Sequence, residues 1–115
     1  MTAVMVLTLG YASLLVACGS SGSAQPAAAT YRACQEVSAV LSDGPDPTGD
    51  PVGYAEAQVQ PLRYVRTTDE ALRVAVDNLD SAYERMFSTN GSGAAQREVA
   101  RASARLDVIC PGAAP

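Results

Sequence analysis

Every formal charge in this 115-residue chain lies between Arg32 and Asp107. Both flanks are neutral, so the stretch able to fold as a solvated, amphipathic globule is the central one, roughly 80 residues long. A domain of that size buries only about 60–65% of its unfolded surface. Burial alone leaves it marginal, and a covalent staple would add a large fraction of its stability.

The N-terminal flank reads as a targeting segment. From Ala3 to Ala17 the chain is an uncharged apolar run. As a helix it would span roughly 22 Å, short of the ~30 Å hydrocarbon core of a bilayer. That is the length of a signal-peptide core and not of a spanning helix. The run closes on Leu15-Val16-Ala17-Cys18 and is followed by Gly19-Ser20-Ser21-Gly22-Ser23. These four residues resemble the lipobox of bacterial lipoprotein signal peptides. The resemblance implies a signal peptide over residues 1–17, cleavage before Cys18 and acylation of Cys18, palmitate included. It places the chain on the extracytoplasmic face of a cell membrane, with membrane lipid as the partner of the acylated Cys18. Two or more acyl chains make a lasting anchor. Residues 18–30 then form a lipidated, flexible Gly/Ser/Ala tether, residues 31–112 the domain and residues 113–115 a tail.

Export carries a consequence for the other thiols. With Cys18 assigned to lipid, Cys34 and Cys110 remain as an even pair in a disulfide-permissive compartment. A bridge between them closes a loop of roughly 75 residues, which chain entropy values at about 4–5 kcal/mol. A redox dithiol would need the two cysteines close in sequence, and they are not.

Within the domain the periodicity is helical. Leu72, Val76, Leu79, Tyr83 and Met86 recur at 4-3-4-3 spacing with charges between them. Thr67 and Glu70 predict a capping box at the start of that helix, and Ser88-Thr89-Asn90-Gly91-Ser92-Gly93 a turn at its end. Asn90-Gly91-Ser92 also fits an N-glycosylation triplet but reads as turn chemistry. Ala95, Val99, Ala102, Leu106 and Ile109 define a last helix halted by Pro111-Gly112. A first helix over residues 31–42 presents Cys34, Val37 and Leu41 on one face. The run from Ser42 to Asp50 is too rich in Pro and Gly for regular structure. Asp50-Pro51 opens a second helix through Ala55, Val59 and Leu62, which Pro61 should kink or split near Gln60. The expected fold is all-α: a small four-helix bundle with a kinked second helix, closed by one disulfide joining its N- and C-terminal ends.

Composition excludes more chemistry than it suggests. The chain has no His and no Trp, and all eight of its cations are Arg. Without His there is no Ser-His-Asp or Cys-His nucleophile system and no His-ligated zinc or haem. A formal charge of −4 argues against a nucleic-acid partner. Asp43, Asp46 and Asp50 are spaced three and then four apart, unlike the alternating acids of a calcium loop, and read as turn and cap residues. No catalytic residue, metal or cofactor is assigned, and the chain is read as a non-enzyme.

Two surfaces remain as candidates. Arg97, Arg101 and Arg105 form a row at i, i+4, i+8 on the last helix, a candidate binding face for an anionic envelope protein or polymer. The bland alternative is a solvated row with intrahelical partners. A ladder to Asp77, Asp80 and Glu84 across the preceding turn is not expected, because the two rows flank their apolar stripes with opposite hand. Tyr54, Leu62 and Tyr83 could border a groove for a small apolar ligand near the Pro61 kink, or simply pack.

The stretches Cys34-Gln35-Glu36-Val37, Val40 to Pro47, and Asp50 to Gln58 with Pro61-Leu62-Arg63 resemble a group of small actinobacterial secreted or lipoprotein-like proteins of unknown function. The resemblance implies a compartment and no activity. The reading is therefore an envelope lipoprotein with a small helical binding or structural module, against the alternative of a carrier holding an apolar ligand between its helices.

Overall fold

A computed structural model describes residues 28–115. These form four helices, α1 (Ala28–Leu41), α2 (Pro51–Tyr64), α3 (Glu70–Ser88) and α4 (Gly93–Ile109), and no strand occurs among the described residues. None of the helices is long and apolar enough to cross a membrane. The expected signal peptide, the expected lipidation site Cys18 and nearly all of the expected tether lie outside the described residues.

Short connections make the helices alternate in direction. α2, α3 and α4 pack as successive neighbours, whereas α1 touches the rest more sparsely, chiefly α2. The Cys34–Cys110 disulfide compensates for that sparse packing by joining α1 to the end of α4, with Cα atoms 5.3 Å apart. The apolar stripes meet as their periods require. Val37, Leu62, Leu72, Leu79 and Leu106 are fully buried at the centre, and Ala55, Ala75, Ala82, Ala95 and Ala102 let the helix backbones approach.

Several boundaries differ from the sequence reading, each for a local reason. α1 begins at Ala28, inside the expected tether, and its buried face is Thr30, Ala33, Val37 and Leu41. Cys34 sits at the edge of that face, only partly buried. Thr30 draws the extra turn into the fold because its hydroxyl donates to an Asp69 carboxylate oxygen at 3.1 Å. The start of α3 is capped by Asp69, whose side chain accepts from the Leu72 amide at 3.0 Å. The expected capping box between Thr67 and Glu70 does not form. Thr67 instead accepts the Asp69 amide, and Glu70 turns outward to Arg73. α2 is not split: it runs through Pro61 to Tyr64, so the missing proline donor falls in its last turn. Residues 113–115 are not a free tail, since Ala113 is buried.

Asp50 caps α2 as expected, accepting from the Gly53 amide, and Ser92 does the same for α4 through the Ala95 amide. Between α3 and α4 the chain reverses through Asn90 and Gly91, both at positive φ, and their amides return to the carbonyls of Phe87 and Met86. A Cβ at Gly91 would stand 3.2 Å from Val52, so glycine suits both the conformation and the space.

Candidate functional site

The three residues of the expected apolar groove lie in the core. Tyr54, Leu62 and Tyr83 are all buried. The two tyrosine rings meet edge to face with centroids 5.7 Å apart, and the Tyr54 hydroxyl donates to the Leu41 carbonyl at 2.6 Å. Burial pushes both phenols above the ordinary tyrosine range, Tyr83 the further of the two. A pocket of about 130 Å³ does open beside them, lined by Tyr54, Tyr83, Met86, Val99 and Ser103 under Pro47 and Pro115. Leu62 takes no part in it. The Pro61 end of α2 therefore supplies packing, and the small opening lies at the other end of the helix.

The Asp-rich loop is likewise occupied with its own backbone. Asp43 accepts from the Gly44 amide, Asp46 from the Thr48 amide and Asp50 from the Gly53 amide. Among the described residues no group of three or more acidic or thiol side chains is placed to hold a metal ion.

The charges sort themselves by helix face. Asp80 and Glu84 both turn to Arg63 of α2, at 3.0 and 3.1 Å, and not to α4. Asp77 pairs within α3 with Arg73, which also holds Glu70. The neighbouring guanidinium holds the Glu70 carboxyl below its usual range. Across α3 and α4 one ion pair forms, Arg85 with Glu98. The acid-to-arginine ladder is absent, as the handedness of the two rows requires.

Arg97, Arg101 and Arg105 are left exposed and, among the described residues, make no ion pair with α3 or within α4. The intrahelical partners of the bland reading do not materialise. Arg101 and Arg105 line a groove of about 250 Å³ between α3 and α4 together with Asn78, Ser81, Arg85 and Glu98. Three guanidiniums against one carboxylate make this groove locally cationic on a chain of net charge −4. Asn78 and Ser81 add neutral donors. Such a lining suits an oxyanion, because guanidinium forks bind carboxylate and phosphate bidentately. Arg97, on the same face, lies outside the groove.

Sequence reasoning missed the buried polar residue Gln58. It is 1% exposed and donates to the Asp43 carbonyl at 2.6 Å, while its own Oε1 has no partner. With Tyr54 it pins the irregular loop from inside. Only its place one turn after Tyr54 and Ala55 on the buried face of α2 could have flagged it. Compared with protein families, with curated proteins and with solved structures, the chain finds no match.

Proposed function

We propose that this chain is a lipoprotein of the cell envelope, anchored through acylated Cys18 on the extracytoplasmic face, whose four-helix domain is a non-catalytic binding or structural module. The observation that carries the reading is Leu15-Val16-Ala17-Cys18 closing an uncharged apolar run directly before a neutral Gly/Ser stretch. The Cys34–Cys110 bridge supports it, because such a bond persists in an oxidising compartment and seldom in a cytosol. The absence of His, and carboxylates engaged in caps, turns and ion pairs, leave acid–base chemistry without a poised group. The contact surface is the arginine face of α4, and its partner is an anionic envelope protein or polymer seated in the α3/α4 groove.

Mass spectrometry of the membrane fraction tests the anchor. The expected mature chain begins at Cys18 carrying a diacylglyceryl group, and a Cys18→Ser variant leaves the membrane fraction. A mature N-terminus elsewhere, or a Cys18→Ser chain still retained there, refutes the reading. The carrier alternative draws on the pocket beside Tyr54 and Tyr83, whose roughly 130 Å³ is comparable to an engineered cavity of about 150 Å³ that holds one benzene. That volume suits a ring and not a lipid. Native mass spectrometry of the purified domain showing a stoichiometric apolar ligand would favour it over the module.

A further inference from the structure

The alternating helices gather at one end of the bundle the start of α1, the end of α2, the start of α3 and the end of α4. The Thr30–Asp69 hydrogen bond and the Cys34–Cys110 bridge tie α1 to the start of α3 and the end of α4. The N-terminal segment leaves from this end, and its surface is unlike the rest. Tyr31, Tyr64 and Val108 are exposed here to 56%, 70% and 83%, while Phe87 is the exposed large apolar residue at the opposite end.

The unpaired arginines lean toward the same end. Five arginines make no ion pair among the described residues, and Arg32, Arg66 and Arg105 lie at the tether end. Arg105 stands about 7.5 Å along α4 from Cys110, with Arg101 and Arg97 leading away from it. The acids of this end are Glu70, which Arg73 offsets, and Asp69 and Asp107, which accept backbone amides and keep their charge, so the three unpaired arginines exceed the two remaining carboxylates by one. At the far end the loop from Ser42 to Asp50 carries Asp43, Asp46 and Asp50 and no arginine.

Exposed tyrosines interleaved with free arginines suit a membrane–water interface. The phenol sits at headgroup depth with its hydroxyl wet, and the guanidinium reaches lipid phosphate while its stem lies on apolar surface. The length of the chain identifies the occupant. Ten peptide steps separate Cys18 from Ala28, at most roughly 35 Å of fully extended backbone. We propose that the tether end of the bundle is a bilayer-docking face, with Tyr31, Tyr64 and Val108 entering the headgroup region of an anionic phospholipid membrane and Arg32, Arg66 and Arg105 binding its phosphates. The inference rests on Cys18 as the anchored residue. Docking stands the bundle on the membrane and directs the acidic loop into the envelope.

The chain contains no tryptophan, so a single introduced indole reports alone. Tyr64→Trp and Phe87→Trp variants of the full chain are purified from membranes, checked for helicity by circular dichroism, and mixed with vesicles of phosphatidylglycerol and phosphatidylcholine brominated high on their acyl chains. Docking predicts a quenched, blue-shifted indole in Tyr64→Trp and an unquenched one in Phe87→Trp. Replacing Arg32, Arg66 and Arg105 together by Gln in the Tyr64→Trp chain should lower the docked population on the order of a hundredfold. Equal quenching in the two single variants, or Tyr64→Trp quenching that survives the arginine replacement, overturns the docking face. The mass of the N-terminal peptide in the same preparation judges the anchor separately. An unacylated Cys18 overturns the lipoprotein reading, and the Tyr64→Trp against Phe87→Trp contrast decides docking in either case.

Discussion

The two ends of this bundle are held by different physics. At the end where α1 begins, the tether end of the proposal above, a disulfide and a side-chain hydrogen bond join segments far apart in the chain: Cys34 to Cys110 and Thr30 to Asp69. At the far end no disulfide is present among the described residues, and a Pro/Gly-rich loop is fastened by two buried side chains, Tyr54 to the Leu41 carbonyl and Gln58 to the Asp43 carbonyl. The contrast follows from what each end must hold. Sparse packing leaves α1 in need of a covalent tie, whereas a loop without regular structure has backbone carbonyls that need donors.

Breaking the tether end should have the largest effect. A Cys34→Ala, Cys110→Ala chain is expected to lose about 4–5 kcal/mol in denaturant titration, the chain-entropy value of so long a loop. A midpoint unmoved by reductant would show that packing alone holds α1. The far end should yield less. Tyr54→Phe keeps the ring contact with Tyr83 but strips the Leu41 carbonyl of its donor, a cost of about 1–3 kcal/mol. Gln58→Met should stay within about 1 kcal/mol of the parent, since the lost bond is offset by removing the unpartnered Oε1. A Gln58→Met loss as large as that of Tyr54→Phe would mean that the stripped Asp43 carbonyl outweighs the relief at Oε1.

Alkaline pH probes the far end without mutation. Burial raises the Tyr54 and Tyr83 phenols above their ordinary value. Their contribution is fully present below the unfolded value of about 10 and is lost as pH rises beyond it, by up to about 1.4 kcal/mol per pH unit for each phenol. Unfolding free energies measured between pH 9 and 11 should therefore fall for the parent and fall less steeply for Tyr54→Phe. A slope unchanged by that substitution would sink the assignment. The smallest effect compares caps. Asp50→Ala and Asp69→Ala each remove an N-cap worth about 1 kcal/mol. Asp69→Ala also frees Thr30, so it should cost more, and a Thr30→Val double-mutant cycle should show coupling with Asp69 and none with Asp50.

The four helices, their apolar stripes and the disulfide pairing were legible in the sequence because each depends on local periodicity or on simple counting. Leu72, Val76, Leu79, Tyr83 and Met86 are buried as their spacing requires. The candidate surfaces were legible only in part. The arginine row on α4 and its failure to meet the acids of α3 follow from spacing and handedness, yet that Arg63 takes Asp80 and Glu84 is a contact between helices that no spacing rule reveals. Tyr54 and Tyr83 could border a groove or fill a core with the same sequence, and packing decides for the core.

The sequence by itself determined the number of helices and, to within a few residues at each end, the foldable segment. Hydrophobic period, caps and prolines act within a few residues of themselves. Only the tertiary structure decided that Asp69 and not Thr67 caps α3, that Gln58 is buried, and that exposed Tyr31 and Tyr64 share with Arg32, Arg66 and Arg105 the end where α1 begins. Those outcomes depend on which faces meet and which helix ends lie together, and antiparallel packing sets both.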